Sequence, residues 1–240
     1  MSDRTRAVYS VFLVFLLMPS TYGADESCFQ FTRDCIGSHG GHKVLTFQDL
    51  YVKANLPDGL LEAHWRKPKM FKFFYADKTA PPITSSIVGD KLYGDRLDIQ
   101  GYSVHDLTKV LPVLALAHLV DGSVIRQEGR SYEYKGKQIT EILQNDGLGG
   151  QIVSLVDQNK TCIGVRYKGA IESDYMFISM GKHIKMAGLM VPRNVLISRP
   201  RLAPLKLTIR RVKMDALKNS DSFFSDPKER ARIKKRRRKR

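Results

Sequence analysis

Cysteine is scarce in this 240-residue chain, with three residues, and tryptophan occurs once. Three cysteines cannot make the disulfide framework of a small secreted scaffold, so stability must come from a hydrophobic core. With 42% hydrophobic residues the chain can build one. The N-terminal apolar run, Ala7–Met18, falls short of the ~20 residues that a transmembrane helix needs, and no later segment reads as membrane-spanning. Gly-x-Ser-x-Gly, His-Glu-x-x-His and Gly-x-x-x-x-Gly-Lys-Ser/Thr are all missing. His64, His105, His118 and His183 are scattered, as are Asp90, Asp95, Asp98, Glu172 and Asp174. Nothing in the chain therefore signals a catalytic set, and a non-enzymatic protein without a cofactor is expected.

What is present begins with an address. Arg4 and Arg6 precede Ala7–Met18, a break follows at Pro19-Ser20, and small residues lead to Gly23. This order of charged, apolar and small segments is that of a cleavable secretory signal, with Thr21 and Gly23 three and one before the cut. Residues 1–23 are expected to be removed and the mature protein exported.

Acidic residues are outnumbered, 24 against 40 basic, for a formal net charge of +16. Much of that excess lies in residues 228–240: Lys228, Arg230, Arg232, Lys234, Lys235, Arg236, Arg237, Arg238, Lys239 and Arg240, against Glu229 alone. Asp226-Pro227-Lys228-Glu229 has the cap, first-turn proline and acidic residue of a helix start. Mutual repulsion predicts a tail that is disordered or nascent-helical until a polyanion neutralises it. In an exported protein the expected polyanion is heparan sulfate or a similar sulfated glycan. The expected function is then a secreted binding protein (a signalling ligand, antagonist or matrix component) with an unidentified protein receptor. The alternative is a nucleic-acid-binding or nuclear-targeted protein, an effector or viral component, using the same tail as an arm or import signal. Basic pairs in the tail and at Arg210-Arg211 also suggest a processed precursor.

Smaller signals fit the exported reading. Cys28 and Cys35 are expected to close a disulfide loop, leaving Cys162 buried or pairing two copies as a homodimer. Cys28, Cys35, His39 and His42 are zinc-ligand types, but the six-residue gap between the cysteines is wider than usual, and no metal site is expected. Asn159-Lys160-Thr161 is an acceptor triplet that predicts glycosylation at Asn159.

Residues 24–42, with a Gly-His cluster, are expected to form a polar loop, 43–213 a globular domain, and 214–240 a linker and the basic tail. Short β-type runs punctuated by Pro57-Asp58-Gly59, Asp121-Gly122 and Asn145-Asp146-Gly147 dominate the domain. Val44–Phe47, Phe71–Tyr75, Gln151–Val156, Thr161–Tyr167, Asp174–Ser179 and Asn194–Ile197 read as strands. In Leu205–Val212, Leu205, Leu207 and Ile209 alternate with Lys206, Thr208 and Arg210, which predicts one core face and one cationic face. Trp65–Tyr75 interleaves cations with aromatics, as a strand with core-facing rings or as a stacking surface for nucleic acid or glycan. Ser103 and Asp106 resemble a capping box opening a helix over Leu107–Val120, interrupted by Pro112. A short second helix is expected near Glu141–Leu143, and a division near residues 147–150 is conceivable. The expected fold class is α+β, a mostly antiparallel sheet with one buried helix.

Overall fold

The computed structural model describes residues 26–67, 69–120, 126–134, 136–145, 150–169, 175–215 and Phe224. Twelve strands form one antiparallel sheet in the order β5-β4-β3-β2-β1-β14-β13-β12-β11-β10-β9-β8. Its strands are β1 (Asp49–Asn55), β2 (Gly59–Arg66), β3 (Met70–Asp77), β4 (Ile83–Val88), β5 (Lys91–Gly94), β8 (Arg126–Tyr134), β9 (Lys137–Asn145), β10 (Gln151–Asp157), β11 (Cys162–Lys168), β12 (Met176–Met186), β13 (Leu189–Ser198) and β14 (Leu205–Met214). A two-stranded ribbon, β6 (Asp98–Ile99) and β7 (Tyr102–Ser103), leads into the helix that follows. Successive strands pair as hairpins, except that β1 joins β14, which brings the two ends of the domain together in mid-sheet.

Period-two burial organises the sheet. In β2 and β3, Leu61, Ala63, Trp65, Phe71, Phe73 and Tyr75 are buried, while the residues between them are half-buried or exposed. The Trp65, Phe71 and Phe73 rings stack in sequence, with centroids 6.1 and 6.4 Å apart. The interleaved segment is thus a core strand, and its aromatics are packed rather than offered to a ligand. In β14, Leu205, Leu207, Ile209 and Val212 are buried, with Lys206, Arg210, Arg211 and Lys213 exposed. The alternation slips once, at a bulge opposite Lys53 and Ala54, which leaves Arg210 and Arg211 both outward.

The inner, apolar face of the sheet carries the helical layer. Helix α1 (Glu26–Ser38) occupies the stretch expected to be a polar loop, and buries Cys28, Cys35 and Ile36. Its polar exposed face hid it in the sequence. The short helix α2 (His42–Thr46) replaces the strand expected at Val44–Phe47. The tight β12–β13 turn, Ala187-Gly188, has positive φ at both positions (51° and 84°), the geometry of a two-residue hairpin. His39 O accepts from the Met190 backbone N–H just beyond it, which ties the α1–α2 junction to the sheet.

Helix α3 (Val104–Leu114) starts where the capping box predicted. The Ser103 hydroxyl accepts from the Asp106 N–H, and Asp106 accepts in return from the Ser103 N–H at 2.9 Å. The helix ends at Leu114 instead of Val120. Leu116 is left-handed (φ 51°), and a 3₁₀ turn, Ala117–Leu119, completes the segment. Pro112 is tolerated inside the last turn of α3, although its ring denies the backbone a donor.

The expected fold class is right in its mostly antiparallel sheet and is corrected in its helices: α1 and α2 accompany α3, so the helical layer is not a single buried helix. Glu141–Leu143 belongs to β9, which pairs with β10 from Ile139 to Asn145 in the same sheet. Among the described residues no helix is long and apolar enough to cross a membrane. The signal peptide and the basic tail, residues 228–240, lie outside the described residues.

Asp106 is 3% exposed and joins the cap to an ion pair, with its Oδ1 2.7 Å from Arg199 at the end of β13. Replacing Asp106 with Ala removes both. Urea denaturation should show a loss of about 2–4 kcal/mol, whereas Arg199→Lys should lose less than half of that.

Candidate functional site

The inner face is apolar because every inward position of the central strands is hydrophobic, and the site follows from what covers it. Leu107, Val110, Leu111 and Leu114 recur at helical spacing along one side of α3. They lie over Val52 and Ala54 of β1, Leu61 and Ala63 of β2, Phe73 of β3, and Leu207 and Ile209 of β14. Two alanines in the floor, at the centre of the sheet, leave room that larger side chains would fill. The resulting seam holds about 290 Å³ of space between atoms, including its mouth, and no polar atom lines it. Most of this space is in slots narrower than a water molecule, so the seam is dry. As it stands the seam is packed, and far smaller than an ordinary ligand pocket.

Polar groups tie α3 and the 3₁₀ turn to the surrounding structure. At one end the Tyr102 hydroxyl donates toward Ile197 O and Ala203 O, at 2.9 and 3.0 Å, and the Asp106–Arg199 pair closes that end. Lys109, on α3, offers its carbonyl to the Tyr167 hydroxyl of β11 at 3.2 Å. Burial pushes the Tyr167 phenol up, so it remains a donor over the whole working pH range. The 3₁₀ turn is held by Gln144 of β9, whose amide donates to His118 O at 2.9 Å, and by the contact of His118 Nε2 with Ser154 Oγ at 3.0 Å. These bonds anchor the α3 segment at its start, at its middle through Lys109, and beyond its end. Over the floor itself the helix is held by the apolar packing of Leu107, Val110, Leu111 and Leu114.

The cysteines and histidines form no reactive set. Cys28 and Cys35 are two turns apart on α1, about 10 Å along its axis, whereas a disulfide needs Cα atoms within about 7 Å. Both are free thiols, so the expected Cys28–Cys35 disulfide is corrected. Cys162 is wholly buried, which removes the disulfide-linked homodimer. Burial pushes the Cys162 thiol up to about 12 and raises Cys35 well above its ordinary range. His39 and His183 meet edge to face with centroids 5.4 Å apart at the α1–β12 junction, and burial lowers both. Among the described residues no cluster of three or more metal-ligating side chains occurs. Asn159 is exposed in the β10–β11 turn, where its backbone N–H donates to Asp157 Oδ1 at 3.0 Å.

Sequence reasoning placed its sites elsewhere in the chain. The basic residues it chose in the tail lie outside the described residues, and the apolar seam went unnoticed. A signal for the seam existed in Leu107, Val110, Leu111 and Leu114, but helical spacing of this kind marks a core helix equally well.

No protein-family model matches the sequence. No curated protein sequence matches it either. The fold is nonetheless similar to solved ones. A LolA superfamily protein from Nitrosomonas europaea superposes with a TM-score of 0.54 at 10% identity, over 83% of this chain and 97% of that one. A DUF1329 family protein from Desulfovibrio piger superposes at 0.50 with 10% identity, over 83% and 96%. At this identity the likeness is one of fold. That fold, built around a helix-covered apolar seam, overturns the expected functions. The signalling ligand, antagonist or matrix component held on heparan sulfate is corrected, and so is the nucleic-acid-binding or nuclear-targeted alternative.

Two measurements test the site's chemistry. A thiol reagent should label fewer than one cysteine per native chain and all three after denaturation. The second is pH dependence. His64 and His183 are pulled down to about 4, chiefly by burial, against about 6.5 when unfolded. The unfolded chain binds more protons between these values, so this contribution to stability is complete above pH 6.5 and is lost as pH falls towards 4. Chemical denaturation at a series of pH values should show a slope of at most about 1.4 kcal/mol per pH unit for each histidine, reduced in His183→Gln.

Proposed function

We propose that this protein is an exported, non-enzymatic carrier of an apolar ligand, with acyl chains as the ligand class, received between α3 and the inner face of the sheet. The observation that carries the proposal is the lining of the seam: eleven hydrophobic side chains and no polar atom. Such a lining recognises a ligand by its apolar surface alone, at about 0.8 kcal/mol for each methylene removed from water. The polar rim would orient a headgroup at the mouth while the chain lies inside. The residues at 1–23, with their signal-like order, support a location outside the cytoplasm. The likeness in fold to the LolA superfamily protein supports the same reading.

Entry requires α3 to lift. The seam as it stands is too narrow for a hydrocarbon chain, and over the floor the helix is held by dispersion and burial, with one hydrogen bond, Tyr167 to the Lys109 carbonyl, at its middle. Each of its four leucine and valine anchors contributes about 1.5–3 kcal/mol when buried. A ligand chain that takes their place against the floor recovers much of that free energy, so exchange of helix for ligand is close to balanced.

A fluorescent apolar probe should brighten on binding the full chain, and long-chain fatty acid should displace it. Ala63→Phe fills the floor beneath α3 and should weaken probe binding at least ten-fold while the protein stays folded. Leu196→Ser, on the opposite face, should leave it unchanged. Absence of probe binding by the parent protein, or equal binding by Ala63→Phe, would overturn the proposal.

A further inference from the structure

The outer face of the sheet has a chemistry of its own, and we infer that it docks this protein on anionic phospholipid membranes. The inference does not depend on what the seam carries. It rests on a column of cations along β14, at the middle of the sheet: Lys206, Arg210, Arg211 and Lys213 are all exposed. The bulge opposite Lys53 and Ala54 is what places two successive arginines on this side, where a regular strand would have buried one.

Neighbouring strands extend the column. In register, Arg211 faces Lys53 of β1, and Lys53 faces Glu62 of β2, to which it is bonded at 2.8 Å. Lys213 faces Tyr51, and that row continues through His64 to Lys72. Of the carboxylates near these rows, Glu62 is engaged by Lys53, and Asp49 is buried 3.5 Å from Arg66. Asp215 accepts from the Gln48 N–H at 2.8 Å. Among the described residues no carboxylate within 4 Å neutralises Lys206, Arg210, Arg211 or Lys213. Arg210 faces only the amide of Asn55, whose oxygen accepts its guanidinium at 3.1 and 3.2 Å.

A column of cations on the uncovered face of a sheet suits an extended anionic surface. Two exposed apolar side chains flank the column, Phe74 at 37% and Leu196 at 39% exposure, and Leu196 pairs directly with Lys206. Cations beside isolated apolar groups suit the boundary between lipid headgroups and acyl chains. Each cation close to an anionic surface strengthens binding roughly five-fold, and salt screens the effect.

The test is sedimentation of the full chain with vesicles of phosphatidylcholine containing one-third phosphatidylglycerol, and with vesicles of phosphatidylcholine alone. Binding is expected to the first and not the second, and is expected to weaken steeply with added salt. The triple variant Lys206→Glu, Arg211→Glu, Lys213→Glu changes only exposed positions and keeps the whole C-terminal basic run. Its vesicle affinity should fall at least ~100-fold, with unchanged circular dichroism and unchanged uptake of the apolar probe. Equal binding by parent and variant would overturn the inference, because the outer face would then contribute nothing. Binding of neither vesicle by the parent, with retention on an acidic polypeptide, would overturn it in favour of an acidic protein partner.

Discussion

A sheet whose central strands are apolar on their inner side cannot remain uncovered in water, and the coverage available to it governs the rest of this structure. Val52, Ala54, Leu61, Ala63, Phe73, Leu207 and Ile209 come from four adjacent strands, and one short helix, α3, closes over them. Polar contacts fasten the helix at its start (the Ser103–Asp106 cap and the Asp106–Arg199 ion pair), at its middle (the Tyr167–Lys109 bond) and just past its end (the Gln144–His118 bond). Its face over the floor is held by burial. Burial is not directional, so any apolar body of suitable width can substitute for the helix. A cover of this kind is structural and replaceable at once.

The two faces of the sheet divide the chemistry. The inner face is apolar over the central strands, and the outer face concentrates cations along β14 and β1. This division follows from the two-residue period of strands, with one bulge adding a second arginine to the outer face. Mid-sheet pairing of β1 with β14 places the apolar floor and the cationic column back to back on the same strands. A carrier with that arrangement can meet a surface with one side and hold its cargo on the other.

Much of the fold was legible in the sequence. The alternation of Leu205, Leu207 and Ile209 with Lys206, Thr208 and Arg210 gave the right faces as far as the bulge, the aromatics of Trp65–Tyr75 were recognisable as core-facing although they are divided between β2 and β3, and Ser103 with Asp106 marked the start of α3. Local signals of this sort are strong because they depend on neighbours in sequence. The errors arose where tertiary contacts decide. Helix α1 looked like a polar loop because only one side of it, with Cys28, Cys35 and Ile36, meets the core. Cys28 and Cys35 suggested a disulfide because the sequence does not show that seven helical residues hold them two turns apart. Helix α3 stopped early because Leu116 takes a left-handed conformation imposed by packing. The functional site was missed for a related reason. A conspicuous basic run drew attention to the end of the chain, while the seam depends on Ala54 and Ala63 being small at the centre of a sheet whose strand order no local pattern reveals.

The account stands on an apolar ligand lying between α3 and the floor formed by β1, β2 and β14. Photo-crosslinking with a long-chain fatty acid bearing a diazirine at its terminal carbon, followed by peptide mapping, tests this directly. Label should fall on α3 within Leu107–Leu114 and on floor residues such as Val52, Leu61 and Leu207, and excess unlabelled fatty acid should suppress it. Label confined to the outer face, or spread over the surface without competition, would contradict the account.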